Sequence, residues 1–88
     1  MSFEYEISEG LEKILNKLIK KDKTLAIAVN KKIKQIINLD IISINHFKNL
    51  KVPMNRLKRV HVGSFILTFQ IKNQIIFFED FVHHDKAY

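Results

Sequence analysis

The stretch Arg59-Val60-His61-Val62-Gly63-Ser64-Phe65-Ile66-Leu67-Thr68-Phe69-Gln70-Ile71 decides the architecture of this chain. Val60 and Val62 alternate with Arg59 and His61, and Phe65, Leu67, Phe69 and Ile71 alternate with Ile66, Thr68 and Gln70. A period of two belongs to β-strands, whose successive side chains point to opposite faces. Gly63-Ser64 between the two runs suits the tight primed turn of a hairpin. Lys72-Asn73-Gln74 marks a second turn, and Ile75 to Val82 reads as a third strand carrying Glu79 and Asp80 near its end. Adjacent on a strand, those two acids are expected on opposite faces. Residues 57–82 therefore read as a β-meander.

Toward the N-terminus the period changes. Phe3-Glu4-Tyr5-Glu6-Ile7 still alternates and reads as a strand, but Ser8 then offers a helix N-cap, with Glu9 and Glu12 in the first turn where the helix dipole favours acids. Leu11, Ile14, Leu15, Leu18 and Ile19 follow at helical spacing as one apolar stripe. Lys20-Lys21-Asp22-Lys23 interrupts it, and Asp22 or Thr24 can cap a second helix whose buried face is Leu25, Ala26, Val29, Ile33, Ile36 and Ile37. Two amphipathic helices joined by a short polar turn make an αα-hairpin. From Asn38 to Pro53 no period is clean, and a packed, irregular connection is expected. The fold class is α+β in the order β-α-α-β-β-β: an N-terminal strand, a helical hairpin, then an antiparallel meander. The helices pack on one face of an antiparallel sheet and leave the other free for function.

The 88 residues make a single domain, 1–88, with 47% hydrophobic residues and seven Phe, enough for one thin core. Without Cys there is no disulfide, thiolate metal site or Cys nucleophile, which fits a cytoplasmic location. Apolar stretches are interrupted by charge well before membrane-spanning length, and Met1-Ser2-Phe3-Glu4-Tyr5-Glu6 carries acids where an export signal carries bases, so neither membrane nor export is expected. Fifteen Lys and Arg against nine Asp and Glu give a net charge of +6, which attracts polyanions such as nucleic acid or an acidic protein.

There is no Gly-rich phosphate loop and no set of carboxylates for a two-metal nuclease. His83-His84-Asp85 is a fragment of a metal site, but neighbouring His residues on a strand diverge, so no metal and no other cofactor is expected. A basic set remains on the β half: Arg56, Lys58, Arg59, His61, His83, His84 and the terminal Tyr88. Arg59 and His61 share the strand face opposite Lys58, Val60 and Val62, which places a cation and an imidazole on the face turned from the helices. RNA is cleaved without metal when a base takes the 2′-hydroxyl proton, an acid protonates the leaving 5′-oxygen and cations stabilise the phosphorane; His suits the first two roles. Taken singly, each exposed His or Arg is more often merely solvated.

The segment Arg59 to Phe69 resembles the RelE-family element of the form (Arg/Lys)-Ile-(Arg/Lys)-Val-Gly-Asp-Tyr-Arg-Ile-Val-Tyr. The ending Val82-His83-His84-Asp85-Lys86-Ala87-Tyr88 resembles that family's Gly-His-Arg-Asp-x-x-Tyr, and Leu50-Lys51 falls where it has Leu-Lys-Gly. The element order matches across the whole chain. The resemblance to the RelE/ParE toxin superfamily implies a toxin of a toxin–antitoxin system. It implies a ribosome-dependent mRNA endoribonuclease, held in check by a small, acidic cognate antitoxin. Carried over, Arg59, His61, His84 and Tyr88 are the expected catalytic residues, and Lys51, Arg56, Lys58 and His83 the expected RNA contacts. Two departures stand out: the family's Arg after Gly-Asp-Tyr is Ile66 here, and its tail Arg is His84. With fewer permanent cations, the alternative is a ParE-like gyrase inhibitor or a catalytically silent protein-binding relative.

Overall fold

A computed structural model describes residues 3–49 and 56–86. The strand β1 (Glu4–Ile7) leads into α1 (Glu9–Lys21) and α2 (Lys23–Ile37), then a single-turn helix α3 (Ile41–Ile44). β2 (Lys58–Val62), β3 (Phe65–Lys72) and β4 (Ile75–His83) follow, and a 3₁₀ turn over His84–Lys86 ends the described chain. The α+β architecture is the one expected from the periodicities.

Local chemistry fixes each helix end. The Ser8 hydroxyl accepts from Leu11 N–H at 3.0 Å and donates to the Glu79 carbonyl at 2.7 Å, so it caps α1 and ties it to β4 together. Asp22 serves both helices of the hairpin. Its N–H donates to the Leu18 carbonyl at 2.8 Å, closing α1, and its carboxylate accepts from Leu25 N–H at 3.1 Å, opening α2. Asp40 caps α3, a turn of helix inside what reads as irregular sequence: its carboxylate accepts from Ser43 N–H at 2.7 Å.

The sheet is mixed, in the order β1-β4-β3-β2, rather than antiparallel throughout. β1 lies parallel to β4, with Glu4 beside Ile75 and Ile7 beside Phe78. The chain's route explains this. Phe3 N–H donates to the Ile37 carbonyl at 2.7 Å, so α2 ends back at the start of β1. The connection from there starts β2 in the direction of β1, and two hairpin reversals make β4 run that way too. The first reversal places Gly63 at φ 60°, with no positive φ at Ser64, the pattern of a type II′ turn. The second places Asn73 and Gln74 at φ 53° and 65°.

Leu11, Val29, Ile33 and Ile36 from the helices meet Val62, Leu67, Phe69, Ile76, Phe78 and Phe81 from the sheet in one buried cluster. A register break opposite Thr68 and Phe69 lets β4 keep its aromatics inward. Thr68 pairs with Asp80 but Phe69 with Phe78, leaving Glu79 as the extra residue of a bulge. Phe78 and Phe81 therefore both face the helices, although three positions separate them. Ile19, expected in the apolar stripe of α1, lies at its outer margin and is half exposed.

Candidate functional site

The sheet face away from the helices can be followed row by row across β2, β3 and β4. One row is Arg59, Thr68 and Asp80; the next is His61, Ile66 and Val82. Arg59 and His61 lie on one face, as the alternation requires, with His61 exposed and Arg59 half-buried. This face is not wholly open, however. Ile66 is 5% exposed and Thr68 fully buried, on the strand β3 that is flanked on both sides by β4 and β2. Ile66, where the resembled element has Arg, is thus a buried aliphatic residue in the row of His61.

The acids depart from expectation. The bulge breaks the alternation, so Glu79 and Asp80 both lie beside β3 residues of this face. Glu79 Oε2 accepts from Gln70 Nε2 at 3.1 Å, and Asp80 pairs with Thr68 in the row of Arg59. Asp80 Oδ1 also accepts from Phe81 N–H at 2.9 Å, which fixes the side chain close to its own backbone. Sequence reasoning did not place Asp80 in the row of Arg59, since nothing in Phe78-Glu79-Asp80-Phe81 alone marks a bulge.

His84 lies at the end of the sheet that carries the β2–β3 turn. Its N–H and its Nδ1 reach the same Ser64 carbonyl, at 2.9 and 3.0 Å. A carbonyl only accepts, so Nδ1 carries hydrogen. Nε2 lies 3.0 Å from Asp85 Oδ1. An oxygen thus stands within hydrogen-bonding distance of each ring nitrogen. His83 belongs to the helix-side face, where its ring meets Phe65 edge-on at 5.3 Å. The 3₁₀ turn takes His84 off the strand and folds it back, so the two imidazoles lie 4.7 Å apart and tilted by 31°. The expected divergence of adjacent strand residues does not apply, because the strand ends at His83.

Lys58 faces the other way. Its ammonium donates to Asn49 Oδ1 at 3.1 Å and approaches the Phe47 carbonyl at 3.4 Å, pinning the connection before β2. Arg56 is exposed just ahead of β2. Lys51 and Tyr88 lie outside the described residues. A shallow pocket of about 520 Å³ lined by Phe3, Leu39, Asn73 and Ile75 opens at the far end of β4 from His84 and holds none of these groups. Among the described residues, no helix is long and apolar enough to cross a membrane.

No model of a known protein family matches the chain. A Methanocaldococcus jannaschii protein assigned to the toxins as RelE4 is 43% identical over 89 residues, covering 98% of this chain and 90% of its own length. An uncharacterized Methanosarcina mazei protein is 37% identical over 86 residues, covering 94% and 95%. Among solved structures, YafQ from E. coli superposes with a TM-score of 0.72 at 17% identity over 94% of each chain. YafQ in its complex with DinJ, a toxin–antitoxin complex, gives 0.73 at 19% identity over 100% and 99%.

Proposed function

Because the chain belongs to the RelE/ParE toxin superfamily, we propose that it is the toxin of a toxin–antitoxin pair and cuts mRNA on the ribosome by acid–base chemistry. One observation carries the reading: Arg59 and His61 share the sheet face away from the helices, and His84 is anchored through Ser64 at the same end of that sheet. A phosphodiester laid between β2 and the end of β4 meets a cation and two imidazoles. His61 takes the 2′-hydroxyl proton, and the 2′-oxygen attacks phosphorus. The bond to the 5′-oxygen breaks, and His84 gives that oxygen the proton held on Nε2. The products are a 2′,3′-cyclic phosphate and a 5′-hydroxyl, and both imidazoles have exchanged protonation states. Arg59 stabilises the charge on the phosphorane, the largest single contribution such a site makes. Tyr88 and Lys51 complete the proposed site as base-stacking and phosphate contacts.

The partner is a small acidic antitoxin. Its charge complements the net +6 of the chain, and the DinJ–YafQ and RelBE2 structures that share this fold are toxin–antitoxin complexes. The test is to look for a small acidic reading frame adjacent to the gene and to express the chain with and without it. Growth arrest relieved by that reading frame, with primer extension mapping new mRNA ends, supports the reading. Arrest with intact mRNA and blocked DNA supercoiling moves the protein to a gyrase-directed role.

A further inference from the structure

His84 Nε2 lies 3.0 Å from Asp85 Oδ1 and His83 Nδ1 lies 3.5 Å from Asp85 Oδ2, while the Ser64 carbonyl holds the other nitrogen of the His84 ring. Two imidazoles therefore converge on one carboxylate. We propose that His83, His84 and Asp85 form a second-use site for one borderline divalent transition metal ion, Cu²⁺ or Zn²⁺, which occupies His84 Nε2 and switches the nuclease off.

Three features favour an ion here over a plain polar cluster. Ligand atoms from the three residues lie within 4.8 Å of one another, and the side chains are 37%, 53% and 72% exposed, so modest rotations bring them to the roughly 3–4 Å that ligands on one ion require. His83 Nδ1 accepts from Asp85 N–H at 3.2 Å, an exposed bond that an ion would replace, and lies 3.5 Å from Asp85 Oδ2, so it carries no hydrogen and is already beside the carboxylate. The His84 Nδ1–H bond to a backbone carbonyl is the outer contact that orients metal-binding imidazoles elsewhere. Two imidazoles and one carboxylate select Cu²⁺ and Zn²⁺ over Mg²⁺ and Ca²⁺, which want oxygen ligands. Three protein ligands leave a position for water or for an RNA phosphate.

Metal binding follows from this cluster alone; inhibition rests on the nuclease reading. The full chain is titrated with Cu²⁺ and followed by calorimetry and electron paramagnetic resonance. One ion per chain with two-nitrogen hyperfine structure is expected. His83→Ala and His84→Ala should each weaken binding by at least about 10–100-fold, the scale for loss of supporting contacts. His46→Ala, outside the cluster, should leave binding unchanged, and circular dichroism melts verify that each variant is folded. Binding unaltered in His84→Ala, or a one-nitrogen spectrum, overturns the site. With Zn²⁺ present at one equivalent, cleavage should stop and return on chelation. Tight binding without inhibition would keep the ion site and overturn the acid role of His84. Cleavage with no binding would overturn the ion site alone.

Discussion

The Ser64 carbonyl receives two hydrogen bonds from His84, one from the backbone N–H at 2.9 Å and one from Nδ1 at 3.0 Å. Ser64 sits in the β2–β3 turn and His84 just beyond β4, so the first turn of the meander is tied to the end of its last strand. The same bonds leave Nε2 as the ring nitrogen for chemistry. The sheet thereby holds the ring of His84, the proposed general acid, in one orientation.

His84→Ala should lower single-turnover RNA cleavage by about 10²–10⁴, the usual worth of a positioned acid or base. The melting temperature should barely move, since the ring is about half exposed. Cleavage within a few-fold of wild type would remove His84 from the chemistry.

Arg59 and Lys58 are neighbours with separate duties. Arg59→Ala should reduce cleavage by about 10²–10³ through loss of charge at the phosphorane. Lys58→Ala should leave cleavage per folded molecule near wild type. It should lower stability by about 0.5–1.5 kcal/mol through loss of its hydrogen bonds to the chain before β2. Parallel denaturation and activity measurements on the two variants check the division. Equal losses of activity would return Lys58 to the RNA face.

Ser8→Ala removes an N-cap and the hydrogen bond to the Glu79 carbonyl at the bulge. A cap alone is worth about 1 kcal/mol, and the lost bond to Glu79 adds to it, so a loss of about 1–2 kcal/mol is expected in urea unfolding. Ser8→Thr should recover most of it. A loss no larger in Ser8→Ala than in an exposed control such as Asn16→Ala would mean that the bond to Glu79 contributes nothing.

The Asp40 carboxyl is held below the ordinary carboxylate range, chiefly by the hydrogen bond it accepts from Ser43 N–H. With the folded value lowered, its stabilisation is present above the ordinary carboxylate range. It is lost as pH falls through the lowered folded value. Asp40→Asn should keep the cap and flatten that acid-side dependence, whereas Asp40→Ala should lose the cap at every pH. Thermal melts across the acid range distinguish them; parallel curves for wild type and Asp40→Asn would contradict the assignment.

The elements were legible because their periods are clean: Phe65 to Ile71 alternates without a break, and Leu11 to Leu18 repeats at helical spacing. What the sequence concealed are relations between distant residues. No local feature of Glu4 to Ile7 says that its neighbour will be β4 and parallel, because that depends on where α2 delivers the chain. The bulge at Glu79 is set by register against β3, so Asp80 joining the row of Arg59 could not be read from its neighbours. His83 and His84 do not diverge, because the strand ends between them, a boundary that neither residue marks. Arg59 and His61 were legible because Val60 and Val62 told inside from outside. The burial of Ile66 was not, since it belongs to the place of β3 between β2 and β4 and not to the residue.

The central claim is tested most directly by adding the purified chain to ribosomes paused on a defined mRNA and analysing the RNA ends. Cleavage in the presence of EDTA, leaving a 2′,3′-cyclic phosphate and a 5′-hydroxyl and lost in both Arg59→Ala and His84→Ala, is the predicted result. Intact mRNA on saturated ribosomes, or cleavage that both variants retain, would contradict it.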